Sequence, residues 1–263
     1  DACVQSLHKT LPAMTQTALV HEGSSSLLDK GRLFKYMSML QTTSPSYVLM
    51  ASIDIAREIM EQRGEELYDA LYKRIEVFGR ELSKIDGVRR IKPDNPSVDT
   101  DFSRIVLSFE SSGLTGFEAE RIFRESSGIV AEMADYYHLV LIATPFHTDE
   151  DFEALLKGIQ EVARHGKGTF DDKFSFVGIP DSLPERAMNP GDAIEMPAEY
   201  IDLNSASGRI SAATITPYPP GIPLVYPGEV ISGELVRMLS EIQGSGGRVH
   251  GIMDGRIQVI VKA

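Results

Sequence analysis

Arg104-Ile-Val-Leu-Ser-Phe109, followed closely by Thr115-Gly-Phe-Glu118, is the stretch that decides the fold class of this chain. The first run is apolar and β-branched enough to read as a strand. In the second, Thr115 and Glu118 have capping-box spacing: the hydroxyl accepts from a backbone N–H while the carboxylate reaches back. A helix is expected from there to Gly128, a residue type that commonly stops helices. Two more strands are expected at Ile129 to Met133 and His138 to Ala143. Thr148-Asp-Glu-Asp151 then begins a helix with Phe152, Leu155, Leu156, Ile159 and Val162 on one apolar face. Strand, helix, strand, strand, helix makes a compact α/β subdomain over residues 88–168.

Toward the N-terminus, Asp86-Gly87 reads as the turn that closes a first block, 1–87. Leu67, Leu71, Ile75, Phe78 and Leu82 recur at helical spacing, and Gly64 is read as a break between two helices. Thr42-Thr43-Ser44-Pro45 reads as a helix start, with hydroxyls for capping and Pro at the first helical position. A helix is expected from Asp29 to about Leu40, a short strand over Thr17 to His21, and a polar stretch over Gln5 to Thr10. Toward the C-terminus, residues 169–263 are richer in Pro and Gly. Pro217 to Gly228 reads as a rigid connector, Glu229 to Ile242 as a helix and Arg256 to Val261 as a strand, together an α+β domain.

The 263 residues are 42% hydrophobic and 24% charged, which excludes a mainly disordered or collagen-like chain. No apolar run approaches the ~20 residues of a membrane-spanning helix, so no membrane partner is expected. Lys+Arg 26 against Asp+Glu 38 leaves a net charge of −12 without a basic stripe, which disfavours nucleic acid and suits a cationic small molecule. The single cysteine, Cys3, forms no internal disulfide and fits a reducing cytoplasm. It is read as a small residue in a buried segment rather than as a catalytic thiol. The chain opens Asp1-Ala-Cys-Val4, with neither Met nor a signal-like segment.

The chemistry concentrates in Gln5-Ser-Leu-His-Lys-Thr-Leu-Pro-Ala-Met-Thr-Gln16. A lysine held in a pocket becomes a nucleophile through desolvation or nearby positive charge. Ser6, His8 and Thr10 are donors suited to a phosphate. The alternative is a surface lysine beside a histidine in a polar loop. Glu132 and Asp135 stand either at a solvated strand end or at a site mouth, where a carboxylate would meet a cationic tail. Tyr218 and Glu229 are read as structural. The remaining histidines show no metal-ligand spacing, and there is no Gly-rich nucleotide loop.

The Ser6-Leu-His-Lys9 motif resembles the lysine motif of the bacterial ornithine/lysine/arginine decarboxylases, pyridoxal-phosphate enzymes of the aspartate-aminotransferase fold. Three further stretches match in the same order. They are Thr42-Thr-Ser-Pro-Ser-Tyr47 with Ala51-Ser52; Gly113-Leu-Thr-Gly116 with Gly128-Ile-Val-Ala-Glu-Met-Ala-Asp135; and Gly208-Arg-Ile-Ser211 with Pro217 to Pro223 and Pro227-Gly-Glu229. The resemblance implies an α/β fold made of three parts. These are the C-terminal part of an aspartate-aminotransferase-like (fold type I) large domain over 1–87, an α/β small domain over 88–168 and an α+β C-terminal domain over 169–263.

It implies pyridoxal 5'-phosphate as cofactor, bonded to Lys9, with Ser6 and His8 by its phosphate. It also implies that Thr42 or Thr43 reaches a phosphate, typically that of a partner subunit; simple helix capping accounts for these hydroxyls equally well. The implied reaction releases CO₂ from a basic amino acid, arginine first, or lysine or ornithine, giving a polyamine-type amine. Lys9 or His8 is the candidate acid for the proton returned to the substrate. The implied state is a cytoplasmic homodimer or higher oligomer with shared active sites.

In that family the residues that stack on the cofactor ring, pair with its nitrogen and cradle its phosphate lie upstream of the lysine. An N-terminal half of the same enzyme, as a separate or removed chain, is therefore an expected partner. The alternatives are a non-catalytic fragment or scaffold that binds no cofactor, and a related pyridoxal-phosphate enzyme with another outcome.

Overall fold

The computed structural model describes residues 1–93, 95, 97–170, 182–219 and 221–261. Outside them fall residues 94 and 96 of the second block, residues 171–181, 262 and 263 of the third, and Pro220 of the Pro217 to Pro223 stretch. The fold is mixed helix and sheet, as the alternating pattern predicts, and it separates into two units.

The first unit is Asp1–Phe78 with Asp99–Arg104 and Ile142–Phe152. It opens with strands β1 (Ala2–Ser6) and β2 (Ala18–Glu22), which form an antiparallel two-stranded ladder from Ala2 opposite Glu22 to Ser6 opposite Ala18. The polar character of Gln5 to Thr10 hides β1, because its pairing is set by residues a dozen positions away. Cys3 is exposed on this ladder, not buried as expected: β1 and β2 pair only with each other among the described residues, so its strand has no packed face.

Helix α1 (Lys30–Leu40) starts where expected, with the Asp29 carboxylate accepting from the Arg32 N–H at 3.1 Å. Helix α2 (Tyr47–Leu82) runs for 36 residues without a break at Gly64. One glycine costs about 1 kcal/mol in a helix, and side-chain pairs such as Gln62–Glu58 and Arg63–Glu66 tie the turns on either side. The helix also starts later than Thr42 to Pro45 suggests. Ser44 has a left-handed φ of 62°, which bends the chain before the helix, so the cap falls to Ser46, whose Oγ accepts from the Leu49 N–H at 3.3 Å. Leu71, Ile75, Phe78 and Leu82 are buried, as the periodicity predicts.

The second unit holds Gly79–Val98, Ile105–Leu141 and Glu153–Ala263. Its Asp86-Gly87 turn is present, with Gly87 at φ +85°; a Cβ there would meet Ser112 Oγ at 2.2 Å. Strands β3 (Arg89–Arg90) and β4 (Arg104–Ser108) precede α3 (Gly116–Ser127), then β5 (Met133–Ala134), β6 (His138–Ile142) and α4 (Asp149–Arg164). The sheet order is β3-β4-β6-β5. The capping box is complete, Thr115 Oγ1 accepting from the Glu118 N–H at 3.1 Å and Glu118 accepting from the Thr115 N–H at 3.0 Å. The strand expected at Ile129 to Met133 shrinks to Met133–Ala134. Gly128 turns left-handed at φ 67°, and the next residues cross back to the sheet, which they reach through the Glu132 N–H to Val140 O bond at 2.9 Å.

The C-terminal part adds α5 (Pro190–Ile194), β7 (Ala198–Asp202), β8 (Thr216–Tyr218), α6 (Gly233–Gly244), β9 (Arg248–His250), β10 (Ile252–Met253) and β11 (Arg256–Ile260). Strands β10, β11 and β7 make one antiparallel sheet, and β8 pairs with β9. The Pro-rich connector therefore contains a strand: Pro217 lies in a two-stranded ladder, where both strands are edges and a missing donor is tolerated. Helix α6 begins four residues later than expected. Ser232 supplies the cap, its Oγ accepting from the Leu235 N–H at 3.1 Å, while Glu229 and Val230 form bridges with Arg186 and Ile210. Ile215, Val225, Ile231, Leu239, Ile257 and Val259 close one apolar core.

Candidate functional site

Ser6, His8 and Lys9 fall at a corner where β1 gives way to a 3₁₀ turn, Leu7–Lys9. Leu7 is buried and anchors the turn, its N–H donating to Thr17 O at 3.1 Å and its carbonyl accepting from Leu11 at 2.9 Å. With Leu7 turned inward, its neighbours are directed elsewhere: Ser6 and His8 are half-buried and Lys9 is exposed. The His8 ring is fixed by its own backbone-directed bond, Nδ1 to Thr17 O at 3.1 Å. A carbonyl oxygen only accepts, so Nδ1 carries the proton and Nε2 is the nitrogen left to gain or lose one.

The segment that follows is tied down at its far end. Thr17 Oγ1 donates to Met14 O at 2.7 Å, and the Met14 N–H donates to Ser52 Oγ on α2 at 3.3 Å. Thr42 and Thr43 are not brought into this corner by any contact described; they lie on the exposed link between α1 and α2. Thr17 and Ser52 hold the corner, and Thr17 was missed as a site residue. Its one sequence signal is its place immediately before the β2 run, where a side chain can be turned inward.

The other candidates serve local structure. The Asp135 carboxylate accepts from the Tyr137 N–H at 2.8 Å and the His138 N–H at 2.6 Å, and closes the turn between β5 and β6. Glu229 accepts from the Tyr226 N–H at 2.8 Å. A cavity of about 460 Å³ lies beside Tyr136, Phe170, Glu118, Lys167 and Glu241. Burial pushes the Glu118 carboxyl up, but the Lys167 ammonium and the Thr115 N–H outweigh it and hold the group below the ordinary carboxylate value. Glu118 and Lys167 are thus engaged with each other. Among the described residues no three His, Cys, Asp or Glu side chains converge on a metal-sized space, and no helix is long and apolar enough to cross a membrane.

In kind, the donors at the corner fit pyridoxal 5'-phosphate: a primary amine for an aldehyde, with a hydroxyl and an imidazole beside it for a phosphate.

Comparison with known proteins places this corner in context. The description "Orn/Lys/Arg decarboxylase, major domain" matches residues 2–104, and "Orn/Lys/Arg decarboxylase, C-terminal domain" matches residues 177–253. The arginine decarboxylase of Bacillus subtilis (strain 168) is 32% identical over 265 residues, covering 99% of this chain and 54% of the relative. The constitutive lysine decarboxylase of Escherichia coli (strain K12) is 25% identical over 309 residues, covering 88% of this chain and 43% of the relative. The solved structure of the E. coli constitutive lysine decarboxylase superposes with a TM-score of 0.77 at 22% identity, over 99% of this chain and 49% of that one, a likeness of fold. The chain spans about half the length of the curated relatives it matches. With two stretches of the sequence matched in order and the fold shared along nearly the whole chain, the chain belongs to the Orn/Lys/Arg decarboxylase family.

Proposed function

We propose that this chain is part of a cytoplasmic, pyridoxal-phosphate-dependent decarboxylase of a basic amino acid, with arginine as substrate. The likeness along nearly the whole chain to a protein named arginine decarboxylase carries the reading, and relatives named lysine decarboxylase are more distant. Pyridoxal 5'-phosphate, when bound, supplies an aldehyde that condenses with amines and a ring that accepts the electrons left by departing CO₂.

In this reading Lys9 would hold the cofactor through its Nζ. Ser6 Oγ would donate to the phosphate with His8 beside it, and Thr42 or Thr43 to the phosphate of a partner subunit. His8 Nε2, the ring nitrogen not committed to Thr17, exchanges the proton returned to the substrate carbon. Residues 1–87, 88–168 and 169–263 act as the large-domain portion, the small domain and the C-terminal domain.

The exposed apolar side chains of the first unit favour a covering partner, and we assign that role to the N-terminal half of the same enzyme together with a second subunit. The test is the full-length protein. It should be yellow, lose its colour on borohydride reduction with the label on Lys9, and release CO₂ from arginine faster than from lysine or ornithine. Colour without CO₂ release from any of the three points to a related enzyme with another reaction. No colour overturns the proposal.

A further inference from the structure

We infer that Thr17 is a positioning residue for the site, fixing both the tautomer of His8 and the setting of Lys9 against α2. The inference rests on the reading of His8 and Lys9 as cofactor-binding residues. Thr17 is 2% exposed, while the β2 residues that follow it are largely open to solvent. Its carbonyl and its hydroxyl are both engaged in this corner. Its carbonyl accepts from the Leu7 N–H and from His8 Nδ1, both at 3.1 Å, and its hydroxyl donates to Met14 O at 2.7 Å.

The link continues outward. The Met14 N–H donates to Ser52 Oγ at 3.3 Å, and Ser52 Oγ donates to Leu49 O at 2.8 Å, so the loop after Lys9 is registered on the first turns of α2. The Thr17 hydroxyl closes the Met14-to-Thr17 turn even though Gln16 adopts a left-handed φ of 74°, a conformation a non-glycine residue holds only when its surroundings fix it.

The consequence is chemical. An Nδ1–H bonded to a carbonyl is held as the donor, which leaves Nε2 as the ring nitrogen able to accept. Loosening Thr17 releases that constraint and lets the ring take the other tautomer. It also unties Leu7, and with it the 3₁₀ turn that presents Lys9.

The test uses the full-length enzyme with three substitutions. Thr17→Val keeps the shape and removes the hydroxyl, Thr17→Ser restores the hydroxyl, and Ser52→Ala removes the far anchor. Two readouts accompany activity: pyridoxal 5'-phosphate affinity by equilibrium dialysis, and the pH midpoint at which the absorption of the bound cofactor changes. Thr17→Val should weaken affinity about tenfold, the effect of losing one buried hydrogen bond, and shift the midpoint. Thr17→Ser should return both to within about twofold of the parent, and Ser52→Ala should move both in the same direction by less.

Unchanged affinity and midpoint in folded Thr17→Val overturn the inference while leaving the cofactor reading intact. If Thr17→Val does not fold, Ser52→Ala decides in the same way. A parent enzyme that binds no pyridoxal 5'-phosphate defeats the cofactor reading, and this inference with it.

Discussion

The β1–β2 ladder and the β7–β11 ladder each pair five residues antiparallel, yet their side chains have opposite surroundings. Ile257 and Val259 on β11 are wholly buried, whereas Val4 on β1 is 74% exposed. The contrast extends to the helices. Leu235 and Leu239 of α6 lie in the C-terminal core, while Phe34 and Leu40 of α1 are 63% and 86% exposed. Backbone pairing and capping are satisfied in both regions, so they do not distinguish them. Apolar cover does. The C-terminal region closes a core from its own residues, and the lysine-bearing region presents apolar faces of the kind that another protein surface covers.

The largest effect expected from this contrast lies in the closed core. Leu239→Ala or Ile231→Ala should destabilise the C-terminal region by about 2–5 kcal/mol, through lost transfer energy and the cavity left behind. Urea unfolding monitored by hydrogen exchange in β11 measures this. A cost below about 1 kcal/mol would mean that the core collapses around the gap and is less closed than its burial indicates.

Local signals were the legible ones. Asp29 before α1, and Thr115 with Glu118 at the start of α3, act within one turn of chain, and their physics is complete in four residues. The strands β1, β7 and β9 were hidden because their partners lie far along the sequence. The helix starts at Ser46 and Ser232 were misplaced where several hydroxyls or an apolar run offered competing caps. At the site, the motif residues Ser6, His8 and Lys9 were legible as a lysine beside phosphate-type donors. Thr17 was not, because its importance lies in a carbonyl and a burial that no side-chain pattern displays.

The middle of the scale is the α3 cap. Thr115→Ala should cost about 1 kcal/mol, read as lower thermal stability of the second unit. The neighbouring Glu118–Lys167 pair adds a pH dependence whose sign follows from the lowered Glu118 value. A carboxyl that is more acidic when folded stabilises the fold above its ordinary value of 4.5, and that contribution is lost as pH falls below it and through the folded value. Lys167→Met should flatten this acid loss and cost no more than about 1 kcal/mol near neutrality, since the lysine end of the ion pair is 62% exposed. Equal acid sensitivity in parent and variant would assign the dependence to other carboxyls.

The smallest effect is the sharpest test of the contrast. Leu40 is apolar but 86% exposed at the end of α1, and Leu40→Gln keeps helix propensity nearly constant. In the 263-residue chain the substitution should change stability by no more than about 0.5 kcal/mol, as expected for a side chain already in water. In the full-length protein, where the proposed cover is present, the same substitution buries an amide against apolar surface and should cost about 1–3 kcal/mol. Subunit assembly measured against concentration would locate the loss at the interface. A large cost in the 263-residue chain itself would show that its own residues already cover α1, and the distinction between an open and a closed region would fail.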